Sequence, residues 1–82
     1  MLKTNKHLDL DRSVLRVSAV ILAELRRRRM IQFDVVRALI RRRIGDDADI
    51  VLLPALSLLY LVGRLDYHIK SDAFEYIDNE AH

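Results

Sequence analysis

The pattern of apolar residues changes once within residues 50–76, IVLLPALSLLYLVGRLDYHIKSDAFEY. Up to Gly63 the segment is an uncharged run of fourteen residues. That length suits a buried helix and is too short to span a bilayer core of about 30 Å. Beyond Gly63, apolar and polar residues alternate with a period of two, which is typical of a strand. The turn residues 70–72 separate this strand from a second, alternating one, so the sequence predicts a helix followed by a β-hairpin.

Two amphipathic helices are predicted upstream. The first covers residues 12–28, where the apolar positions of one helical face recur at spacings of three and four: Val14, Val17, Ile21, Leu22 and Leu25. The second starts near Val35 and stops near Gly45, because glycine readily adopts the positive φ of a helix end. Residues 30–33 between them are expected to be a short apolar connector. Three helices followed by a hairpin is the element order of a winged-helix domain, so we predict a mostly α, winged-helix-like fold with a C-terminal β-hairpin.

Length and composition set the domain organisation. The chain has 82 residues, 51% of them hydrophobic and 32% charged, with two glycines and one proline. These values exclude a disordered chain and predict a single domain over residues 1–82, with a polar leader at 1–10 and a polar tail at 78–82. No cysteine is present, which excludes disulfides and thiolate chemistry. The leader lacks the apolar core of a signal peptide, so we expect a cytoplasmic protein.

The third predicted helix is apolar on two sides. At about 100° per residue, the side expected to face the core carries Val51, Leu52, Ala55, Leu59 and Val62. The opposite side carries Leu53, Ser57, Tyr60, Leu61 and Arg64. A second apolar face in so short a chain favours contact with a partner protein, and the alternative is that the leader or the hairpin folds over it. Asp46, Asp47 and Asp49 are candidate caps, and Pro54 predicts a later helix start or a slight kink.

Arginines cluster at the ends of the first two helices. The candidate contact residues for nucleic acid or an acidic protein surface are Arg26, Arg27, Arg28, Arg29, Arg37, Arg41, Arg42 and Arg43. Residues 1–45 carry twelve Lys and Arg against four Asp and Glu, a net +8, whereas residues 46–82 carry two against eight, a net −6. Cations at helix C-termini also offset the helix dipole, and opposite charges within one domain attract each other. The pattern does not choose among these roles.

The residue types that commonly act in catalysis or bind metals are scattered along the sequence. His7, His68 and His82 show no metal-ligand spacing, and no serine lies in a nucleophile motif. Gly45 and Gly63 stand alone, so there is no glycine-rich phosphate loop. We therefore expect a protein that is not an enzyme and that uses no cofactor and no metal.

Two segments resemble a known family. They are Lys6-His7-Leu8 through Asp11-Arg12-Ser13-Val14-Leu15 to Ile21-Leu22, and Leu53-Pro54-Ala55-Leu56-Ser57-Leu58-Leu59-Tyr60-Leu61-Val62-Gly63-Arg64-Leu65-Asp66-Tyr67. Over residues 4–70 the chain resembles the small middle components of ABC-three-component systems, which are similar to the small subunits of Lamassu-type bacterial defence operons.

The resemblance implies a winged-helix adaptor in an obligate hetero-complex. Such a subunit bridges an SMC/Rad50-like ATPase and an effector, often a nuclease, that acts against phage or plasmid DNA, and it has no catalytic residues to carry over. Two other hypotheses remain open. The arginine clusters favour a stand-alone winged-helix transcriptional regulator, which the apolar third helix disfavours. The acidic second half would suit an antitoxin-like inhibitor of a basic toxin.

Overall fold

The computed structural model describes residues 10–78. The described part excludes the leader up to residue 9, which contains His7, and the tail from residue 79, which contains His82. The elements are α1 (Leu10–Arg28), β1 (Met30–Gln32), α2 (Phe33–Ile44), a 3₁₀ turn (Gly45–Asp47), α3 (Ala48–Leu61), β2 (Leu65–His68) and β3 (Ala73–Tyr76). The predicted mostly helical domain with a C-terminal hairpin is confirmed. No helix within residues 10–78 has the length and apolar content needed to cross a membrane.

A three-stranded antiparallel sheet closes one side of the domain, in the order β1-β3-β2. The connector predicted at residues 30–33 is wrong, because Met30–Gln32 forms strand β1 and Phe33 begins α2. Ile31 lies opposite Phe74 in β3, and Tyr67 in β2 lies opposite the same residue. The sequence did not predict β1 because three residues are too few to show a period of two, and because its partner strand β3 lies far away in the sequence.

The core lies between α1, α2, α3 and the inner face of the sheet. The regular spacing of Val17, Ile21 and Leu25 buries one face of α1, as predicted, and these side chains expose 2% or less of their surface. Ser18 is the buried polar residue of this face, and its hydroxyl donates a hydrogen bond to the Ala55 carbonyl of α3 at 3.4 Å. Burial and this bond hold α3 against α1.

The two ends of α3 differ from each other. Asp47 occupies the N-cap position, but its side chain makes no capping hydrogen bond, because the 3₁₀ turn leads directly into the helix. Pro54 lies inside α3, so the later start that was one expectation is wrong. At the C-terminal end, Gly63 has φ +78° and donates to the Tyr60 carbonyl, while the next N–H donates to the Leu59 carbonyl. This pair of hydrogen bonds is a Schellman motif, and the positive φ explains why the residue at this position is a glycine.

The predicted core face of α3 needs two corrections. Val51, Leu52, Ala55 and Leu59 are buried as expected, but Val62 is 55% exposed. Because the helix ends at Leu61, Val62 belongs to the turn rather than to the core-facing side. Leu56, which neither predicted side contained, is 6% exposed and packs in the core cluster with Phe74 of the sheet.

Candidate protein interface on the third helix

One face of α3 points into solvent although it is apolar. We call Leu53, Ser57, Tyr60 and Leu61 the outer face of α3; Leu53, Tyr60 and Leu61 are 63%, 60% and 79% exposed. Spacings of three and four residues place the four side chains on one side of the helix. Exposed Ile50 continues the same face toward the start of α3. The structure thus places these four predicted partner-binding residues together.

Arg64, the fifth predicted partner-binding residue, lies beyond the helix. It is half-buried in the turn between α3 and β2, and its carbonyl accepts a hydrogen bond from the Ile77 N–H at 3.0 Å. This contact ties the turn to the chain just after β3. The backbone of Arg64 therefore has a structural role.

An apolar groove separates the outer face of α3 from the sheet. Two adjoining hollows of about 440 and 380 Å³ form it, and both are lined by Leu56, Ser57, Tyr67 and Phe74. Leu53 borders the first hollow, and Tyr60 and Leu61 border the second. The Tyr67 and Phe74 rings pack at 5.2 Å between centroids, so the sheet side of this groove is a wall of aromatic rings.

A polar contact fixes the end of this sheet-side groove. The Tyr67 hydroxyl donates a hydrogen bond to Asp72 Oδ1 in the hairpin turn, and this bond raises the pKa of the Tyr67 phenol. Asp72 adopts a positive φ of +52°, and its carbonyl accepts from the Phe33 N–H at 2.8 Å. The hairpin turn is thereby attached to the start of α2, so contacts within the domain hold the sheet wall of the groove in place.

A second groove lies on the other flank of α3. It measures about 490 Å³ and is formed with α1, whose Leu10, Val14 and Leu15 line it opposite Pro54 and Leu58. Ser57 and Leu61 also line this α1-side groove. Ser57 therefore borders all three hollows. The outer face of α3 is a ridge with an apolar groove on each side.

The sequence identified the ridge but not the grooves. Phe33, Leu56 and Leu15 belong to the grooves and were absent from the predicted site. Leu15 is 63% exposed on the first helix, and this surface leucine was the one signal that could have indicated a second contributing element. The sheet-side groove depends on how the hairpin packs against α3, which a periodicity argument does not supply.

Several predicted contact arginines have partners within the domain. Arg37 Nε donates to Asp49 Oδ1 at 3.2 Å, which joins α2 to α3, lowers the pKa of Asp49 and raises that of Arg37. The Arg29 guanidinium lies 5.2 Å from the centroid of the Tyr76 ring. Arg29 also has a φ of +74° just after α1. Its contact with the Tyr76 ring and its position at the helix end assign it a structural role.

Glu24 pairs with two arginines at the end of α1. Its Oε1 lies 2.6 Å from Arg27 Nη2 and 3.2 Å from Arg28 Nε, and the hydrogen bond from Arg27 is the main cause of a lowered pKa for Glu24. Arg26, Arg42 and Arg43 are exposed and make no salt bridge with any residue between 10 and 78. Arg41 lies close enough to Asp49 to help lower the pKa of that carboxyl.

Imidazole and carboxylate groups form a pair, but no group of three, in the described part of the chain. His68 Nε2 lies 2.6 Å from Glu75 Oε1 across the hairpin. Between residues 10 and 78, no three such side chains come together in a way that could hold a metal ion. The features that remain are an apolar ridge with two grooves and a set of exposed arginines.

Comparison with known proteins identifies the family. The family model described as ABC-three component (ABC-3C) system Middle Component 8 matches residues 29–77, more than half of the chain. The chain therefore belongs to this family and is a middle component of a three-part system. The matched segment runs from the residue before β1 to the residue after β3 and includes the whole of α3. No curated protein and no solved structure matches the chain significantly.

Proposed function

We propose that this middle component is a non-catalytic adaptor that bridges an SMC/Rad50-like ATPase and an effector such as a nuclease. The complex would act against phage or plasmid DNA and would resemble Lamassu-type defence complexes. Membership of a three-part system implies partner proteins. The observation that carries the proposal is the exposed outer face of α3, where Leu53, Tyr60 and Leu61 each expose at least 60% of their surface.

The surroundings of that face support protein contact. Single exposed leucines are common on protein surfaces, but a continuous apolar surface marks an interaction site. Here the ridge and its flanking grooves adjoin each other, since Ser57 lines all three hollows and Leu61 lines one on each side of the ridge. A partner helix laid in a groove would bury apolar side chains at spacings of three and four residues, a common mode of helix recognition.

The fold supports the same use of α3. The element order and the β1-β3-β2 sheet support assignment to the winged-helix class. In a DNA-reading domain of that class the third helix presents polar side chains to base edges. Residues 48–61 contain no Asn, Gln or Lys, so this helix offers leucines where base contacts would be needed. An adaptor can use the same exposed helix to bind protein.

The test is co-expression of the full chain with the products of its neighbouring genes, followed by affinity purification. Leu53→Asp or Leu61→Asp should abolish co-purification, because each places a carboxylate in an apolar contact. Ile69→Asp is the matched control, since Ile69 is 81% exposed in the hairpin turn and lies outside the grooves. Retained complexes with both α3 variants, or equal loss with the control, would refute the proposed interface.

A stand-alone winged-helix DNA-binding transcriptional regulator is the second candidate, and the exposed arginines favour it. Such a regulator should prefer one duplex sequence and keep that preference at high salt, because base contacts carry sequence information and phosphate contacts do not. Selection from a random duplex library separates the two candidates. Enrichment of one motif supports the regulator, and no enrichment supports the adaptor.

A further inference from the structure

We propose that the C-terminal ends of α1 and α2 form one basic surface that binds the phosphate backbone of duplex DNA without reading its sequence. The two arginine clusters meet in space. Arg27 of α1 and Arg43 of α2 line the same open hollow of about 380 Å³, together with Ala19, Val20, Ala23 and Glu24. Arg27 and Arg43, sixteen positions apart in the sequence, therefore join the two clusters in one surface, which we call the basic surface.

The charge on this surface exceeds what the fold uses. The last turns of α1 and α2 contain Arg26, Arg27 and Arg28, and Arg41, Arg42 and Arg43. One or two cations per helix end suffice to offset the dipole. Glu24 is the carboxylate lining the hollow, and it pairs with Arg27 and Arg28. At least three guanidinium groups, those of Arg26, Arg42 and Arg43, remain exposed without a salt bridge within the described residues.

The chemistry of the surface favours duplex DNA over other polyanions. Guanidinium groups bind phosphate oxygens in a two-pronged geometry. Single-stranded nucleic acid needs aromatic side chains on which bases stack, and the lining of this hollow is aliphatic and charged. Recognition of duplex RNA rests largely on shape and on hydrogen bonds to the 2′-hydroxyl, and half of the residues that line the hollow, Ala19, Val20 and Ala23, have apolar side chains that make no such bonds. Phosphate contacts alone give affinity without sequence preference.

The basic surface is separate from the outer face of α3. Helix α1 contributes Val14 to the α1-side groove and Ala23 to the basic surface. These residues are nine positions apart, which at about 100° per residue puts them on opposite sides of α1. DNA and a protein partner can therefore be bound at the same time. This inference does not depend on the proposed adaptor role.

The test is a fluorescence-anisotropy titration of the full chain against labelled duplexes at 50 and 200 mM salt. The probes are two DNA duplexes of unrelated sequence, one RNA duplex and a poly-glutamate peptide. With phosphate contacts from Arg26, Arg42 and Arg43, the affinity for DNA should fall about 40-fold between the two salt concentrations. The two DNA sequences should bind within twofold of each other.

Single-residue variants test whether DNA binds to the basic surface. Arg43→Gln should weaken DNA binding and reduce the slope of log affinity against log salt by about 0.9. Lys70→Gln removes the same charge from the exposed hairpin turn and should change neither quantity. Leu61→Asp should leave DNA binding intact while it abolishes partner association, so failure of the interface on α3 and failure of this proposal give different results.

Four results would overturn the proposal. They are no binding to DNA at 50 mM salt, a preference for one DNA sequence that survives 200 mM salt, tighter binding of RNA than of DNA, and tighter binding of poly-glutamate with the same dependence on Arg43. The last of these would assign the basic surface to an acidic protein partner.

Discussion

Leu59 and Leu61 give a direct test of how α3 is oriented. They are two positions apart on one helix, yet Leu59 is 4% exposed and Leu61 is 79% exposed. The same substitution should therefore lower the free energy of unfolding strongly at Leu59 and hardly at all at Leu61. We expect Leu59→Asp to unfold the domain and Leu61→Asp to leave the fold unchanged.

The magnitudes follow from burial. A chain of 82 residues has a stability of about 4–12 kcal/mol, taking ~0.05–0.15 kcal/mol per residue. Replacing buried Leu59 by Ala should cost about 2–5 kcal/mol through lost burial and the cavity left behind. Aspartate adds the cost of placing a carboxyl group in the core, which brings the total near the whole stability of the domain. At Leu61 the carboxylate stays in water, and the expected change is within about 0.5 kcal/mol.

Urea denaturation, followed by far-ultraviolet circular dichroism at a protein concentration where the chain is monomeric, measures both effects. Leu59→Ala serves as the folded comparison at the buried site, so that the cost remains measurable if Leu59→Asp does not fold at all. A loss of more than about 1.5 kcal/mol for Leu61→Asp would refute the orientation of α3. So would a cost below about 1 kcal/mol for Leu59→Ala.

The remaining predictions concern association, the backbone and titration. The isolated chain should self-associate and bind an apolar dye, and sedimentation should show that Leu61→Asp reduces association. Gly45→Ala should lower the free energy of unfolding in urea by about 1–3 kcal/mol, because Gly45 has φ +76° and ψ −143° with open space around it. The pKa of Asp49, measured by carboxyl NMR, should lie below its ordinary 3.8 and rise in Arg37→Gln. Since folding lowers this pKa, the stabilisation is present above pH 3.8 and is lost as pH falls through the folded pKa. The pKa of Tyr67, followed by phenolate absorbance, should lie above 10.0 and fall toward that value in Asp72→Asn.

Local pattern determined the helices and the hairpin. The periodic spacing of Val17, Ile21 and Leu25 predicted the buried face of α1, and the alternation after Gly63 predicted β2. Strand β1 was missed because Met30–Gln32 is a strand only through its pairing with β3. The error at Val62 has a related cause, since hydrogen bonds of the helix end, rather than the apolar pattern, determine where α3 stops.

The candidate sites also divide into a part that the sequence predicts and a part that it does not predict. The outer face of α3 was predictable because leucines on both sides of a helix cannot all be buried by so short a chain. The grooves and the basic surface depend on how elements pack, and this information is tertiary. Nothing in the spacing of Arg27 and Arg43 shows that the two side chains line one hollow.

The position of β3 in the sheet has a consequence for the order in which the domain folds. The last strand in the chain is the middle strand of the sheet, and Phe74 pairs with Ile31, forty-three positions earlier. During synthesis, the three helices can pack as soon as residue 61 has left the ribosome, but β1 and β2 have no partner until residues 73–76 follow. A nascent chain of which residues up to 70 have left the ribosome should therefore be helical and open to proteases along the unpaired edges of β1 and β2, and the exit of six more residues should complete the sheet.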